Sequence, residues 1–317
     1  MTVAKKHQVA QQYAGETVST YPGTNEPFCF KWSSQRISTG LPIFCFRVQG
    51  DAFGSIATGI GTDFWPKQAL LKAYMEAWER LIVLKMSRDL APVSSNQEIN
   101  SSNGCAAHLT VELAKKSARL ELIERAILLT CWQRPQYWRP IGLQSPLGVA
   151  LSLLIRRRGW RTLLYQIHEA ELGDFFAAFA VHQELGLVFD SIMVESGMKV
   201  TDAQLRLLMS VGKSVSAREV AGRVDIGVGL PRQGVPLDHF AYYSNVDHLA
   251  ALDFLKVATA GPWDDVRLGA DRKIVSDVLF PPGDLPAVVR CRNEYWPQLA
   301  WGLSSMGAET NWPHPLA

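Results

Sequence analysis

The residues with the clearest chemical potential are four glutamates, which occur in two copies of one short pattern, Glu-x-x-Glu-Arg. The first copy lies in the apolar stretch ALLKAYMEAWERLIVL and the second in SARLELIERAILL. Residues three apart lie on the same face of a helix, so each copy predicts two carboxylates side by side. The two copies comprise Glu76, Glu79 and Arg80, and Glu121, Glu124 and Arg125.

The apolar residues around both copies indicate helices that lie inside a protein core. An ionised carboxylate in such a place needs a cation or strong hydrogen-bond donors, because burying it without a partner is very costly. A single copy of the pattern is typical of ordinary ion pairs along a helix surface. Two copies, one after a glycine-rich hairpin and one after the stretch SNG at 102–104, favour a site that holds a metal ion, basic side chains or both.

The elements that must position these glutamates are predicted as strands that alternate with helices. Strands begin at LPIFCFRV, and the strands TLLYQIHEA and FAAFAVHQEL follow a helix near residues 145–158. A further helix is expected from about Asp202 to Ser214. We predict a mixed α/β domain over residues 39–317, with largely antiparallel sheets flanked by helices. Residues 1–38 are polar and turn-rich, and are expected to form an N-terminal arm.

The composition excludes several classes of protein. The 317 residues carry a net charge of +2, which gives no support for nucleic acid as the main partner. No run of about 18 apolar residues is present, so no membrane-spanning helix is predicted. The five cysteines are scattered, which favours free thiols in a reducing compartment. Because the N-terminal residues also lack an apolar signal segment, we expect a cytoplasmic protein.

A separate concentration of charge surrounds Gly159 and consists of Arg156, Arg157, Arg158 and Arg161. One interpretation is a solvated helix end, whose cations face the negative end of the helix dipole. The other interpretation is a binding site for an acidic peptide or for phosphate. The segment GKS at 212–214 is not a phosphate loop, because Leu207 stands where that loop needs a glycine.

Three segments together make the chain resemble the YcaO family, ATP-dependent enzymes that activate backbone amides during the maturation of ribosomal peptides. The first, TGIGT at 58–62 with the first glutamate pattern, is similar to the family's Gly-Lys-Gly turn and Ser-x-x-x-Glu-x-x-Glu-Arg helix. The second runs without a gap from SNG at 102–104 to the second glutamate pattern. The third, AQLRLL at 203–208, resembles the helix that carries the family's Glu-x-x-Gln.

The family's glutamates on these helices hold magnesium ions that bridge the phosphates of ATP, and its products are azolines, thioamides or amidines. The resemblance therefore implies a nucleotide and metal site, and no individual catalytic residue is assigned. The residues that correspond to it are Glu76, Glu79, Arg80, Glu121, Glu124 and Arg125.

The departures from the family pattern fall on residues that would contact metal and phosphate. Leu109 and Leu113 stand where the family has asparagine and glutamate, and leucine offers no oxygen to a hard cation. Ile60 replaces the lysine of the glycine turn. These changes predict a degenerate nucleotide site in which no metal is bound.

Two lysines enter the same region. Lys72 replaces the serine of the first segment, while Ser210 and Lys213 occupy the Glu-x-x-Gln positions. An ammonium group can neutralise carboxylates that a metal ion would otherwise neutralise. We therefore expect Lys72 and Lys213 to form ion pairs with members of the glutamate set, in a network completed by the two arginines.

The resemblance implies a YcaO-like subunit of a complex that modifies a ribosomally synthesised, bacteriocin-type precursor peptide. In the first hypothesis the nucleotide site is degenerate and the chain itself binds no cofactor. Its partner is then a nitroreductase-like flavoprotein dehydrogenase that carries FMN, as in a trifolitoxin-type system. In the second hypothesis the chain is an active cyclodehydratase that uses Mg-ATP to form azolines or related heterocycles. A homodimer within the complex is compatible with both.

The last residues of the sequence, WPHPLA, resemble a shortened form of the proline-rich tail that azoline-forming members extend into the active site. Contacts from Pro313, His314 and Pro315 to the site are one expectation, and an ordinary exposed tail is the other. The segment before residue 39 is too short for a leader-binding domain, so we expect the chain to co-purify with a second gene product.

Overall fold

The computed structural model describes residues 12–20, 27–90, 103–194, 198–222, 242–258, 262–269 and 274–296. These residues form three antiparallel sheets flanked by helices, which confirms the predicted mixed α/β class. The strands are β1 (Gln12–Thr20), β2 (Pro27–Ile37), β3 (Phe44–Ala52), β4 (Ser55–Asp63), β5 (Cys105–His108), β6 (Arg139–Pro140), β7 (Arg161–Glu169), β8 (Gly173–His182), β9 (Gly186–Val194), β10 (Val275–Phe280) and β11 (Ala287–Arg292). The helices are α1 (Pro66–Leu90), α2 (Val111–Cys131), α3 (Pro146–Arg157), α4 (Val200–Ala221) and α5 (Phe254–Ala258), with short 3₁₀ helices at Pro135–Tyr137 and Val246–Leu252.

The first sheet is a meander of β1, β2, β3 and β4 in that order, and α1 packs across β3 and β4. Its first two strands come from the segment that the sequence predicts to be an arm. The structure corrects that expectation, because Phe30 and Ser34 of β2 are buried. Every second residue of β2 from Phe30 to Ser34 is more buried than its neighbours, which is the period of a half-buried strand.

The second sheet has the order β10-β11-β5. Its edge strand β5 contacts both α1 and α2. The helices that carry the two glutamate patterns therefore lie on either side of one short strand.

The third sheet, of order β6-β7-β8-β9, is covered on both faces. Phe175 and Phe179 of β8 belong to the core that includes α2, whereas Phe176 and Ala178 belong to the core that includes α3 and α4. Successive residues of these strands therefore face different helices. Among the helices that the structure describes, none is long and apolar enough to cross a membrane.

Candidate functional site

Two glycines of β4 allow α1 to lie directly on the strand. A Cβ atom at Gly59 would be 2.1 Å from the carbonyl oxygen of Ala73, and one at Gly61 would be 2.1 Å from that of Ala69. No side chain fits at either position, so the backbones of strand and helix are in contact. The sequence suggests a glycine turn here. The structure instead shows glycines within a strand, where they bring α1 close to the strand's backbone amides.

Glu76, on the face of α1 next to β4, has donors on both carboxylate oxygens. The amide of Ile60 donates to Oε2 at 2.6 Å, and Arg80 forms an ion pair with Oε1 at 2.6 Å. Arg80 also donates to the carbonyl oxygen of Thr58 at 2.5 Å. The carboxylate of Glu76 is thus held by one strand and by its own helix.

Glu124, on α2, is held in the same way by β9. The hydroxyl of Ser191 donates to Oε1 at 2.6 Å and the amide of Met193 donates to Oε2 at 3.3 Å. Arg125 lies 3.3 Å from Oε1. Desolvation raises the pKa of Glu124, and Arg125 and these hydrogen bonds oppose that rise.

The carboxylates of Glu79 and Glu121 have fewer donors and cations to offset the cost of burying their charge. Desolvation, followed by repulsion from Glu121 and Glu76, raises the pKa of Glu79 well above its usual value, although Arg80 and a hydrogen bond from the Ala107 backbone oppose the rise. Neither carboxylate forms an ion pair with any residue that the structure describes. The two side chains are nevertheless partly accessible to solvent, a combination that is typical of groups lining a cleft.

Desolvation is also the main cause of the raised pKa of Glu121, which reaches about 7. The charge of Arg125 opposes this rise, whereas the charges of Glu124 and Glu76 add to it. Each of the four glutamates thus feels the charge of at least one other. Glu76 and Glu124 are held by protein donors, whereas Glu79 and Glu121 repel each other.

The fold is similar to those of solved proteins that are named for YcaO or heterocyclase activity. YcaO from Methanopyrus kandleri, bound with AMPPCP and Mg²⁺, is 14% identical with a TM-score of 0.55, over 82% of this chain and 84% of that one. The microcin synthetase McbBCD complex of E. coli, with pro-MccB17 bound, is 12% identical with a TM-score of 0.53, over 88% and 86%. The chain has the YcaO fold.

A heterocyclase in complex with substrate and cofactor is 13% identical with a TM-score of 0.59, over 82% of this chain and 49% of that one. The chain therefore spans about half the length of that heterocyclase. No protein-family model and no curated protein matches the sequence. At identities this low, the similarity concerns the YcaO fold alone.

The predicted ion pairs between lysines and glutamates are not the ones that the structure shows. Lys72 pairs with Asp63 at 2.7 Å and donates to the carbonyl oxygen of Thr62 at 3.2 Å. Lys213 forms no ion pair with a described residue, although its charge and that of Glu76 act in opposite directions on the pKa of Cys45, which burial raises to about 11. Lys72 pairs with Asp63 because Asp63 lies beside the first turn of α1. There the Asp63 carboxylate also accepts a hydrogen bond from the amide of Trp65.

Two site residues on β9 extend the set that the sequence predicts. Ser191 faces α2 and binds Glu124, whereas its neighbour Asp190 faces α4 and accepts from the hydroxyl of Ser210. This division follows from the alternating faces of β9. Asp190 and Ser191 interrupt the apolar stretch GLVFDSIMV, and that interruption is a signal by which the sequence could have revealed them.

Several of the residues that the resemblance assigns to magnesium and nucleotide already have protein partners or are apolar. Glu76 and Glu124 already hold protein donors, and within the described ranges no three His, Cys, Asp or Glu side chains converge to hold a metal ion. Leu109 and Leu113, at positions where the resemblance implies polar contacts, expose 59% and 43% of their surface. The proline-containing tail at 313–315 lies outside the described residues.

Proposed function

We propose that the chain is a YcaO family member that acts as a subunit of a complex that modifies a ribosomally synthesised, bacteriocin-type precursor peptide, and that its nucleotide site is degenerate. The observation that carries the proposal is that protein donors occupy the oxygens of Glu76 and Glu124. A metal ion would have to share these oxygens with positively polarised or charged donors, an arginine and a backbone amide at each glutamate. The YcaO fold supports the family.

The partners in this proposal are the precursor peptide and a nitroreductase-like flavoprotein that carries FMN, as in a trifolitoxin-type system. A subunit without nucleotide chemistry needs a partner that performs the chemical step. The similarity to a chain of the microcin synthetase complex with its bound pro-MccB17 supports a role within a complex.

The second candidate is an active ATP-dependent cyclodehydratase, and one observation favours it. Glu79 and Glu121 are partly accessible carboxylates whose charges repel each other in a desolvated place. A divalent cation is the species that such a pair would stabilise most, because hard cations prefer carboxylate oxygens. In this candidate the cation would bind between them and carry the nucleotide.

Calorimetric titration with AMPPCP and magnesium separates the two candidates. We expect no binding by the wild-type chain, because protein donors contact the oxygens of Glu76 and Glu124 and two leucines stand where the resemblance implies asparagine and glutamate. Leu109→Asn combined with Leu113→Glu restores the polar residues of the family and should produce measurable affinity. Val257→Asn, on α5 at a residue that is 64% exposed, controls for adding an amide to the surface.

A dissociation constant on the order of 10 μM or tighter for the wild-type chain would contradict the degenerate site and support the active enzyme. Hydrolysis of ATP by the chain together with its co-expressed genomic neighbours and peptide provides a second readout. We expect no hydrolysis that depends on Glu79 or Glu121, and a loss of turnover in Glu121→Gln would establish the second candidate.

A further inference from the structure

Helix α3 exposes apolar side chains where a surface helix ordinarily carries polar ones. Leu147, Val149 and Leu153 expose 46%, 40% and 51% of their surface. Pro146 and Ala150 are exposed as well, and no exposed residue from Pro146 to Leu153 is polar. Exposed apolar residues occur singly on most surfaces, but a continuous group of them marks an interaction site.

All of these residues except Leu147 lie in a stripe on the side of the helix opposite its core contacts. Leu151 and Ile155 face the core that α3 shares with α4 and the third sheet. Pro146, Val149, Ala150, Leu153 and Arg157 lie on a single helix face, because the spacings 146–149–153–157 and 146–150–153–157 are steps of three and four residues. We call this set the α3 stripe. A helix that is apolar on two opposite sides is typical of a helix covered on both sides.

The C-terminal end of the α3 stripe is basic. Arg156 and Arg157 are exposed, and neither forms an ion pair with a residue in the described ranges. Arg158 behaves differently, since it pairs with Glu219 and donates to the carbonyl oxygen of Thr39 at 2.7 Å. Arg158 therefore links α3 to α4 through its ion pair with Glu219. The charges of Arg156 and Arg157 remain exposed and can pair with carboxylates of another molecule.

We propose that the α3 stripe is a docking surface for a helical segment of another protein, one that presents apolar side chains along one face and carboxylates at one end. Its apolar part would cover Val149 and Leu153, and its carboxylates would pair with Arg156 and Arg157. This inference does not depend on the nucleotide site or on the proposed function.

Charge complementarity favours this occupant over a second copy of the chain. Two antiparallel copies of α3 would place each basic end beside the first turn of the other helix, which contains no acidic residue. The arginines would remain unpaired in such a dimer. A membrane surface is also a poorer match, because the apolar part spans only two turns and carries no aromatic anchor.

The test is a fluorescence anisotropy titration with a synthetic helical peptide that has leucines at heptad spacing and three glutamates at one end. The full-length chain should bind it, and Leu153→Ser should weaken binding at least about tenfold, as removal of a central anchor does. Arg156→Gln with Arg157→Gln should weaken binding and abolish its dependence on salt. Val257→Ser, at an exposed valine on α5, should bind like the wild type, and circular dichroism confirms folding of each variant.

Four outcomes would overturn the proposal. They are the absence of binding, equal binding of a scrambled peptide of the same composition, a dimer in sedimentation experiments that Leu153→Ser dissociates, and binding to phosphatidylglycerol-containing vesicles that Leu153→Ser abolishes. The third would assign the α3 stripe to a second copy of the chain, and the fourth to a membrane surface.

Discussion

The two Glu-x-x-Glu-Arg segments share one pattern, yet the glutamate that receives protein donors is the first in one segment and the second in the other. On α1 the first glutamate, Glu76, is held by a strand amide and an arginine. The second, Glu79, has a raised pKa because it is desolvated and repelled by the charges of Glu121 and Glu76. On α2 the second glutamate, Glu124, is held, while Glu121 is left with a raised pKa.

This difference comes from the strands beside the two helices. Strand β4 approaches α1 at the level of Glu76, because Gly59 and Gly61 remove the side chains that would separate them. Strand β9 brings Ser191 and Met193 to α2 at the level of Glu124. A motif therefore does not determine the role of its own residues. The neighbouring backbone decides which carboxylate is held.

The largest expected effect comes from separating α1 from β4. In Gly59→Ala the new Cβ would lie 2.1 Å from the carbonyl oxygen of Ala73, so the helix has to move away from the strand. We expect the free energy of unfolding to fall by about 3 kcal/mol or more in urea denaturation. Gly142→Ala is the control, because a Cβ there meets nothing within 4 Å. Equal stability of the two variants would contradict the direct contact.

The second prediction compares a held glutamate with a repelled one. Glu124→Gln leaves Arg125 half-buried without its counter-charge, and should cost about 2 kcal/mol at neutral pH. Glu79→Gln removes a repelled charge and should leave the stability unchanged or increase it. Urea denaturation of both variants side by side measures the difference. A larger loss for Glu79→Gln would mean that the two glutamates have been assigned the wrong way round.

The third prediction concerns pH. The pKa of Glu121 is about 7 in the folded protein, above its model-compound value of 4.5, so the folded state binds more protons than the unfolded state between these values. Stability should therefore be highest below this window and fall as the pH rises through 7. We expect Glu121→Gln to remove about 1–2 kcal/mol of this decrease. Melting temperatures measured across the window provide the test, and identical slopes for wild type and variant would refute it.

The smallest expected effect concerns Lys72, which is 49% exposed and pairs with Asp63. Such an ion pair on the surface contributes about 0.5 kcal/mol. Lys72→Met should therefore change the stability little and leave the dependence of the melting temperature on pH unaltered. A changed pH dependence would show that Lys72 acts on the glutamates after all.

The sequence predicted the elements better than their contacts. The helix expected from about Asp202 to Ser214 is observed over Val200–Ala221, and the helix near 145–158 over Pro146–Arg157. The expectation of an N-terminal arm failed because polar residues were weighted above the alternation of Phe28, Phe30 and Trp32, which β2 buries to different extents. The partner of Lys72 could not be predicted, because Asp63 is nine residues away in sequence and comes within reach only where the end of β4 meets the start of α1.

The sequence by itself determined that two apolar helices carry paired carboxylates and that antiparallel sheets surround them, since periodicity and helical spacing are local properties of a chain. Only the tertiary structure decided which carboxylates receive donors. Ile60, Ser191 and Met193 reach the glutamates across 16, 67 and 69 residues of sequence. Hydrogen bonds of this kind depend on how closely backbones approach and on which face of a strand meets a helix, and both are fixed when the sheets and helices pack together.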